Sequence, residues 1–172
     1  AGQANISDSI RKTEIDNLFL IPSTVDLSGI EPELADVNDR AFTLKNIFNA
    51  NEKLNEFDFI FIDCPPALSL LTVMAMTTAN AIIVPLQCEF FALEGLSQLI
   101  KTIERVRQNL NPGLSIDGIV LTMYDSRNKL SSQVATDVRN HLREQVYETI
   151  IPRNVRVSEA PSFGMPALIY DQ

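Results

Sequence analysis

The sequence is poor in the residues that build metal centres, disulfide frameworks and membrane spans. Among 172 residues there are two cysteines, Cys64 and Cys88, and one histidine, His141. These are too few ligands for a structural zinc site, and we expect both thiols to be reduced. No apolar run approaches the roughly 20 residues of a transmembrane helix. Residues 1–5 (AGQAN) are polar and uncharged, unlike a signal peptide. These absences favour a globular protein of the cytoplasm.

Glycine is also scarce, and the sequence contains no phosphate-binding loop of the form G-x-x-x-x-G-K-[ST]. Such a loop holds nucleotide phosphates with its backbone amides and its lysine. Of the six glycines, only Gly113 and Gly118 have the required spacing, and Ile119 and Val120 follow them instead of Lys and Ser or Thr. We therefore expect the 172 residues alone neither to bind ATP tightly nor to hydrolyse it.

The acidic charge is distributed unevenly along the chain. The formal net charge of -8 argues at first against a nucleic-acid partner. Residues 1–119 carry eight Lys or Arg against sixteen Asp or Glu, whereas residues 120–160 carry six against five. We expect any anion-binding face in the C-terminal third, although an ordinary solvated surface would give the same counts.

Apolar runs alternate with amphipathic segments. The runs predict strands at residues 17–22, 57–63, 79–86, 115–123 and 146–151. Helical spacing predicts helices at residues 28–56 (in two pieces), 68–78, 89–110 and 131–143. Apolar strands separated by helices predict an α/β fold with a mostly parallel sheet and helices on both faces. In such sheets, ligands bind at the carboxyl ends of the strands.

An acidic residue, Asp63, follows the apolar run at residues 57–63. An acid in this position can hold Mg²⁺ beside nucleotide phosphates, or it can cap the helix that follows; the strand pattern leaves both possibilities open. Cys64, Pro65 and Pro66 come next, and the two prolines fix two φ angles and remove two N–H donors. This stiff turn suits a switch segment that senses a phosphate, and a plain loop is the alternative.

Four segments carry the clearest motifs: FDFIFIDCPPALSLLT (57–72), QCEFFALEGL (87–96), LTMYDSR (121–127) and IPRNVRVSEAPSFG (151–164). In this order, they resemble motifs of the ParA/Soj chromosome-partitioning ATPases, which are deviant Walker-type P-loop ATPases. The first is similar to the Walker B and switch II region of that family, and the fourth to its most distinctive late motif. The resemblance runs from about residue 18 to the C-terminus.

The resemblance implies a protein that dimerises around ATP and Mg²⁺ and binds DNA without sequence preference. It also implies that a ParB-like partner stimulates hydrolysis, and that the protein is cytoplasmic and nucleoid-associated, with no membrane partner. Asp63 would be the catalytic residue and would serve Mg²⁺, through water, while Cys64, Pro65 and Pro66 form the switch. Arg127 and Arg156 would contact DNA. The residues that would lie against the adenine are Pro152, Arg153 and Asn154.

The missing phosphate loop is the main departure from that family. The resemblance places this loop and the first strands upstream of residue 1, so we expect residues 1–172 to be a single partial ATPase domain. A division-site regulator and a nitrogenase-iron-protein-like reductase are related alternatives. A non-catalytic module, associated with DNA or with other proteins, is the alternative if the native chain truly lacks the loop.

Overall fold

The computed structural model describes residues 6–171, with Ser28 described by its backbone alone. Residues 1–5, whose polar character counted against a signal peptide, lie outside the described range, as does residue 172. The chain divides into two compact units. Unit one comprises the residues up to Asn80 together with Val106–Leu114, and unit two comprises Ala81–Arg105 and the residues from Ser115 onward.

Unit one is built from short elements. In chain order, its helices and strands are α1 (Ile6–Ser9), β1 (Arg11–Lys12), β2 (Phe19–Leu20), α2 (Ile30–Glu33), α3 (Thr43–Asn49) and α4 (Leu70–Thr78). Three 3₁₀ helices lie between them, at Val25–Gly29, Arg40–Phe42 and Glu52–Glu56. The predicted interrupted helix over residues 28–56 is thus confirmed, although it is broken more often than the periodicity indicated. The predicted strand at residues 17–22 shrinks to the two residues of β2, which pair antiparallel with β1.

The predicted strand at residues 57–63 is wrong. Within the described range, these residues belong to no strand, and the rings of Phe59 and Phe61 are each 80% exposed. An extended segment becomes a strand only when a neighbouring strand accepts and donates its backbone hydrogen bonds. The apolar and aromatic composition indicates that this segment tends to form a strand, but no described strand pairs with it.

The helix α4 is the best-buried element of unit one. Met74 and Met76 are 5% and 6% exposed, which confirms the prediction that they pack in the core. The last turn of α4 is completed by a residue far along the chain: the Asn111 side-chain amide donates to the carbonyl oxygens of Met76 at 2.9 Å and Ala79 at 2.8 Å. Helix C-termini leave carbonyl groups without intrahelical partners, and here a buried asparagine supplies the donor.

Unit two contains the parallel sheet. Its elements are β3 (Ala81–Gln87), α5 (Ala92–Asn109, which continues past Arg105 into unit one), β4 (Ser115–Tyr124), α6 (Lys129–Leu142), β5 (Val146–Pro152), α7 (Val155–Glu159) and α8 (Ala167–Tyr170). Two 3₁₀ helices add Arg143–Gln145 and Ala160–Phe163. Each end of the three strands and of α5 and α6 lies within three residues of the bound that the sequence predicted. These segments have a strong hydrophobic period and a clear stop signal, such as Asn-Pro-Gly after α5.

The sheet has the order β3-β4-β5, and all three strands are parallel. Val84 pairs with Ile119, and Leu86 pairs with Leu121, so these four side chains share one face. The buried cluster on that face takes in Leu96 of α5 and, from α6, Val134, Ala135 and Val138. Both crossover helices therefore cover the same face, and the α/β class with a parallel sheet flanked by helices is confirmed.

The opposite face of the sheet in unit two is more open. Ile83, which pairs with Gly118 across the strands, is 45% exposed. The ring of Tyr147 lies over Gly118 so closely that a Cβ there would stand 2.6 Å from it. Glycine is needed at this position to admit the ring. Among the helices described here, none combines the length and the apolar character needed to cross a membrane.

Candidate functional site

The loops that follow β3, β4 and β5 meet at the carboxyl edge of the sheet. Two hydrogen bonds extend the pairing beyond the regular strands: the Cys88 amide donates to the Thr122 carbonyl at 3.2 Å, and the Arg153 amide donates to the Tyr124 carbonyl at 2.9 Å. The Ser131 hydroxyl of α6 also donates to the Cys88 carbonyl at 3.2 Å. These bonds hold the three loops side by side, at the edge where parallel α/β sheets bind ligands.

The last residues of β4 depart from regular geometry. Met123 has φ 53°, in the left-handed region that residues other than glycine rarely enter. The pairing register between β4 and β5 also shifts between Leu121 and Tyr124. Backbone strain of this kind persists only where the surrounding structure enforces it, and it is common at functional sites. Met123 directly precedes Tyr124, which pairs with Pro152 at the end of β5.

The three residues predicted to contact adenine leave the sheet in one short segment. Pro152 ends β5 and is exposed. The Arg153 guanidinium lies 3.9 Å from a Glu89 carboxylate oxygen, and its side chain is 58% exposed. Asn154 is the N-cap of α7, and its Oδ1 accepts the Arg156 amide at 2.8 Å. The Arg156 N–H has no acceptor within α7, so the bond to Asn154 completes the first turn of the helix. The cap thereby fixes the direction in which the chain leaves this segment.

Arg156 lies among acidic and aromatic groups of the C-terminal part of the chain. Its guanidinium is 3.9 Å from carboxylate oxygens of both Glu159 and Asp171, and 5.8 Å from the centre of the Tyr170 ring. The Tyr170 hydroxyl donates to Glu159 at 3.2 Å. At 3.9 Å the ion pairs are loose, and Arg156 remains exposed. Weakly paired surface arginines of this kind remain available to a solvent-borne anion.

Arg127 makes a tighter pair with an acid two residues before it. Its Nε donates to Asp125 Oδ1 at 3.0 Å, and its Nη2 donates to Asp125 Oδ2 at 2.8 Å. The backbone amide of Arg127 also donates to Asp125 Oδ1 at 3.0 Å. Hydrogen bonds and charge from Arg127, with a smaller contribution from Arg153, lower the pKa of Asp125 to about 2. The carboxylate is thus ionised at all physiological pH values.

Asp63 and the three residues predicted to form a switch belong to unit one. Asp63, Cys64, Pro65 and Pro66 are all exposed and lie between the elements of the chain. The N-cap of α4 is Ser69, six residues after Asp63, so the helix-cap alternative for Asp63 is wrong. Partial burial, together with the nearby Asp63 carboxylate, raises the pKa of the Cys64 thiol. A raised pKa lowers the fraction of reactive thiolate at Cys64.

No preformed all-protein metal site exists in the part of the chain that the structure describes: no group of three or more His, Cys, Asp or Glu side chains could hold an ion. Mg²⁺ does not require one, because it is commonly held by one or two carboxylates, with waters and substrate phosphates completing its shell. Asp63, an exposed carboxylate just before the predicted switch residues, is compatible with that mode.

Unit two contains all five residues proposed to contact nucleotide or DNA: Arg127, Pro152, Arg153, Asn154 and Arg156. The sequence did not reveal the acidic partners of the three arginines, which are Glu89, Asp125, Glu159 and Asp171. One of these had a readable signal. The Asp-x-Arg spacing of Asp125 and Arg127 after a strand favours a side-chain-to-backbone turn that brings the acid back to the arginine.

The chain is similar to known proteins over nearly its whole length. Residues 1–116 match a family model described as an AAA domain. The chromosome partitioning protein ParA of Caulobacter vibrioides is 57% identical over 170 residues, which are 99% of this chain and 64% of that protein. The chromosome-partitioning ATPase Soj of Treponema pallidum is 50% identical over 99% of this chain and 67% of that protein. The chain thus spans about two thirds of the length of these curated relatives.

A solved structure supports the fold independently. The cobyrinic acid a,c-diamide synthase of Mycobacterium smegmatis, with bound ADP and magnesium, aligns with a TM-score of 0.79 and 33% identity. The alignment covers 96% of this chain and 72% of that one. The chain therefore has the arrangement of elements of an enzyme that binds a nucleotide and magnesium.

Proposed function

Because this chain belongs to the ParA/Soj family of chromosome-partitioning ATPases, we propose that it partitions a chromosome or plasmid through an ATP cycle. ATP and Mg²⁺ bring two copies together, the dimer binds DNA without sequence preference, and a ParB-like partner stimulates hydrolysis. The observation that carries this proposal is the joined carboxyl edge of β4 and β5, where the Arg153 amide bonds to the Tyr124 carbonyl at 2.9 Å. This bond places the proposed adenine segment beside the loop that bears Arg127.

Residues 152–154 suit a flat base. The Pro152 ring and the Arg153 side chain are both exposed, and a guanidinium group packs well on the face of an aromatic ring. The Oδ1 atom of Asn154 accepts the Arg156 amide. Asn154 therefore acts as the N-cap of α7 and holds the segment in position. Bound ATP would supply the phosphoryl group whose transfer to water drives the cycle.

Asp63 is proposed as the residue that serves Mg²⁺, through water. We expect Asp63→Ala to abolish Mg-ATP turnover in the full-length protein, because loss of a carboxylate that orients the metal removes transition-state stabilisation. Asp58→Ala is the matched control, since Asp58 is an exposed acid of the same segment. Steady-state ATPase assays measure both variants. Unchanged turnover in Asp63→Ala would remove Asp63 from the mechanism.

Arg127 and Arg156 are proposed to contact DNA phosphates. Both are exposed, and both lie in the part of the sequence where basic residues outnumber acidic ones. Contacts to phosphates provide affinity without sequence information. Two duplexes of unrelated sequence should therefore bind equally well, and affinity should fall steeply as salt rises.

Replacement of both arginines by glutamate tests this surface. We expect Arg127→Glu with Arg156→Glu to weaken binding to both duplexes, and to flatten the salt dependence by about one unit of slope for each lost phosphate contact. Lys53→Glu with Lys101→Glu, at two exposed lysines outside the proposed surface, is the control with the same total change of charge. Fluorescence anisotropy in the presence of ATP measures the affinities. Equal losses in the control and the double variant would mean that only net charge matters.

Turnover is proposed to depend on sequence outside residues 1–172. No phosphate-loop motif lies within them, so we expect the chain as given to show no ATPase activity. The full-length protein should hydrolyse ATP slowly, and faster when a ParB-like partner and DNA are added. ATPase assays of both proteins measure this difference. Turnover by the 172 residues alone would contradict the proposal.

A further inference from the structure

The guanidinium group of Arg127 is already engaged in this structure. Two of its nitrogens meet the two carboxylate oxygens of Asp125 at 2.8 and 3.0 Å, which is a bidentate arrangement. The pair is asymmetric, because the Arg127 side chain is 87% exposed and that of Asp125 is 25% exposed. The arginine thus faces solvent while its acid is partly covered.

A bidentate carboxylate and a bidentate phosphate compete for the same donors. Arginine binds both through two parallel N–H···O bonds in one plane. When Nε and Nη2 both point at Asp125, they are not free to form the same fork with a DNA phosphate. DNA binding through this face of Arg127 therefore requires the pair with Asp125 to open, or Arg127 to offer its remaining N–H groups.

We propose that Asp125 is an internal competitor for DNA: its carboxylate occupies the guanidinium of Arg127 and lowers the affinity of the protein for phosphate groups. This inference rests on the proposed DNA contact of Arg127. Asp125 is thus a positioning residue that acts through Arg127 and touches no ligand itself. Its effect is to keep non-specific DNA binding weak enough to be reversible.

Two neighbouring features support a specific role for this pair. Arg156 makes only loose contacts with its acids, at 3.9 Å, so the two proposed DNA-binding arginines are restrained to different degrees. Asp125 also directly follows Tyr124, whose carbonyl accepts the Arg153 amide. The competing carboxylate therefore adjoins the segment proposed to meet adenine.

A four-protein cycle tests the proposal: the unmodified full-length protein, Asp125→Asn, Arg127→Ala and the double variant. Asparagine retains the Oδ1 that accepts the Arg127 amide, so the local turn is preserved while the charge is lost. We expect Asp125→Asn to tighten DNA binding about two- to fivefold, the size expected for release of an exposed ion pair. We also expect the salt dependence to steepen by up to about one unit of slope.

The double variant separates competition from general repulsion between the acid and DNA. If Asp125 acts through Arg127, its replacement has no effect in the Arg127→Ala background. An equal gain in both backgrounds would overturn the proposal, and so would weaker binding by Asp125→Asn, which would mean that the acid orients Arg127 toward DNA. An unchanged affinity in Asp125→Asn would overturn it as well, while leaving the DNA contact intact.

The same four proteins separate a failure of this proposal from a failure of the proposed DNA contact on which it rests. If Arg127→Ala alone leaves DNA affinity unchanged, the DNA contact of Arg127 is wrong, and the competitor role falls with it. Circular dichroism and urea unfolding confirm that each variant is folded. Asp137→Asn on α6 serves as a charge-matched control for the loss of one acid.

Discussion

Two apolar segments of similar length differ in structure, because only one of them forms a strand. Residues 57–63, in unit one, are exposed at Phe59 and Phe61 and belong to no strand within the described range. Ala81–Gln87, in unit two, forms β3, with Val84 and Leu86 buried and with β4 paired along its whole length. Both segments are mainly apolar, although the first carries three Phe and two Asp and the second carries neither. Among the described residues, only the second has a paired neighbouring strand and a covering helix.

The two units also differ in how their helices are completed. In unit one, α4 receives side chains from far along the chain: Asn111 at its end, and Glu31 at its start, where Oε1 accepts the Leu71 amide at 3.4 Å. In unit two, α6 is capped by the residue next to it, since Asn128 Oδ1 accepts the Leu130 amide at 3.0 Å. Tertiary contacts thus complete the helix in the first case, and local sequence completes it in the second.

The largest expected effect tests the comparison of the two apolar segments. Ile119 of β4 is fully buried, so Ile119→Ala should cost about 2–5 kcal/mol of unfolding free energy. Phe61→Ala removes a larger side chain that is 80% exposed, and it should change stability by no more than about 0.5 kcal/mol. Urea unfolding measures both. A comparable cost for Phe61→Ala would mean that residues 57–63 are buried in solution.

The next effect concerns the distant cap of unit one. Asn111→Ala removes the donor for the Met76 and Ala79 carbonyls, and an unsatisfied buried polar group costs about 1–3 kcal/mol. Asn55→Ala, at an exposed position of the 3₁₀ helix Glu52–Glu56, is the matched control. Thermal unfolding followed at 222 nm compares the two. Equal stability of both variants would remove Asn111 from the support of α4.

The local cap of unit two should matter less. Asn128→Ala deletes the N-cap of α6, and such losses cost about 1 kcal/mol. Asn140→Ala lies on the same helix at an exposed position and should be neutral or slightly stabilising, because alanine favours helices. Chemical unfolding of the two variants gives the difference. A neutral Asn128→Ala would show that packing of Val134 and Val138 alone sustains α6.

The smallest effects are those of two partly buried acids, Glu31 and Asp125, on acid stability. Hydrogen bonds from the Ser69 side chain and the Leu71 amide lower the pKa of Glu31 below 4.5, and Arg127 lowers that of Asp125 from 3.8 to about 2. Each ionised acid stabilises the folded state above its unfolded pKa, and that stability is lost as the pH falls through the folded pKa. The loss due to Asp125 therefore lies between pH 3.8 and about 2.

Unfolding midpoints measured from neutral pH down to about pH 2 check the expected loss of stability at acid pH. Glu31→Gln should flatten the acid limb of the stability curve below pH 4.5, and Asp125→Asn should change only its lowest part. An effect of Asp125→Asn confined to higher pH would mean that its pair with Arg127 is open in solution.

The sequence predicted most of unit two and the family. Strong periods and breaker residues defined the five elements from β3 to β5, and four ordered motifs identified the ParA/Soj ATPases, which the 57% identity to the Caulobacter protein confirms. The roles of Asp63, Arg127, Arg156 and residues 152–154 remain predictions. The sequence did not predict that Arg127 is paired with Asp125, because opposite charges two residues apart face each other only in a particular turn.

What the amino-acid sequence determined by itself is local: which segments are apolar, where helices stop, and which residue types follow each strand. The periods of 3.6 and 2 residues and the backbone limits of proline and glycine suffice for these properties. The tertiary structure alone decided which apolar segment became a strand, which carbonyls Asn111 satisfies, and which acids surround the arginines. Each of these depends on groups brought together from separate parts of the chain or turned toward each other by the backbone, and their hydrogen bonds and burial exist only once the chain has folded.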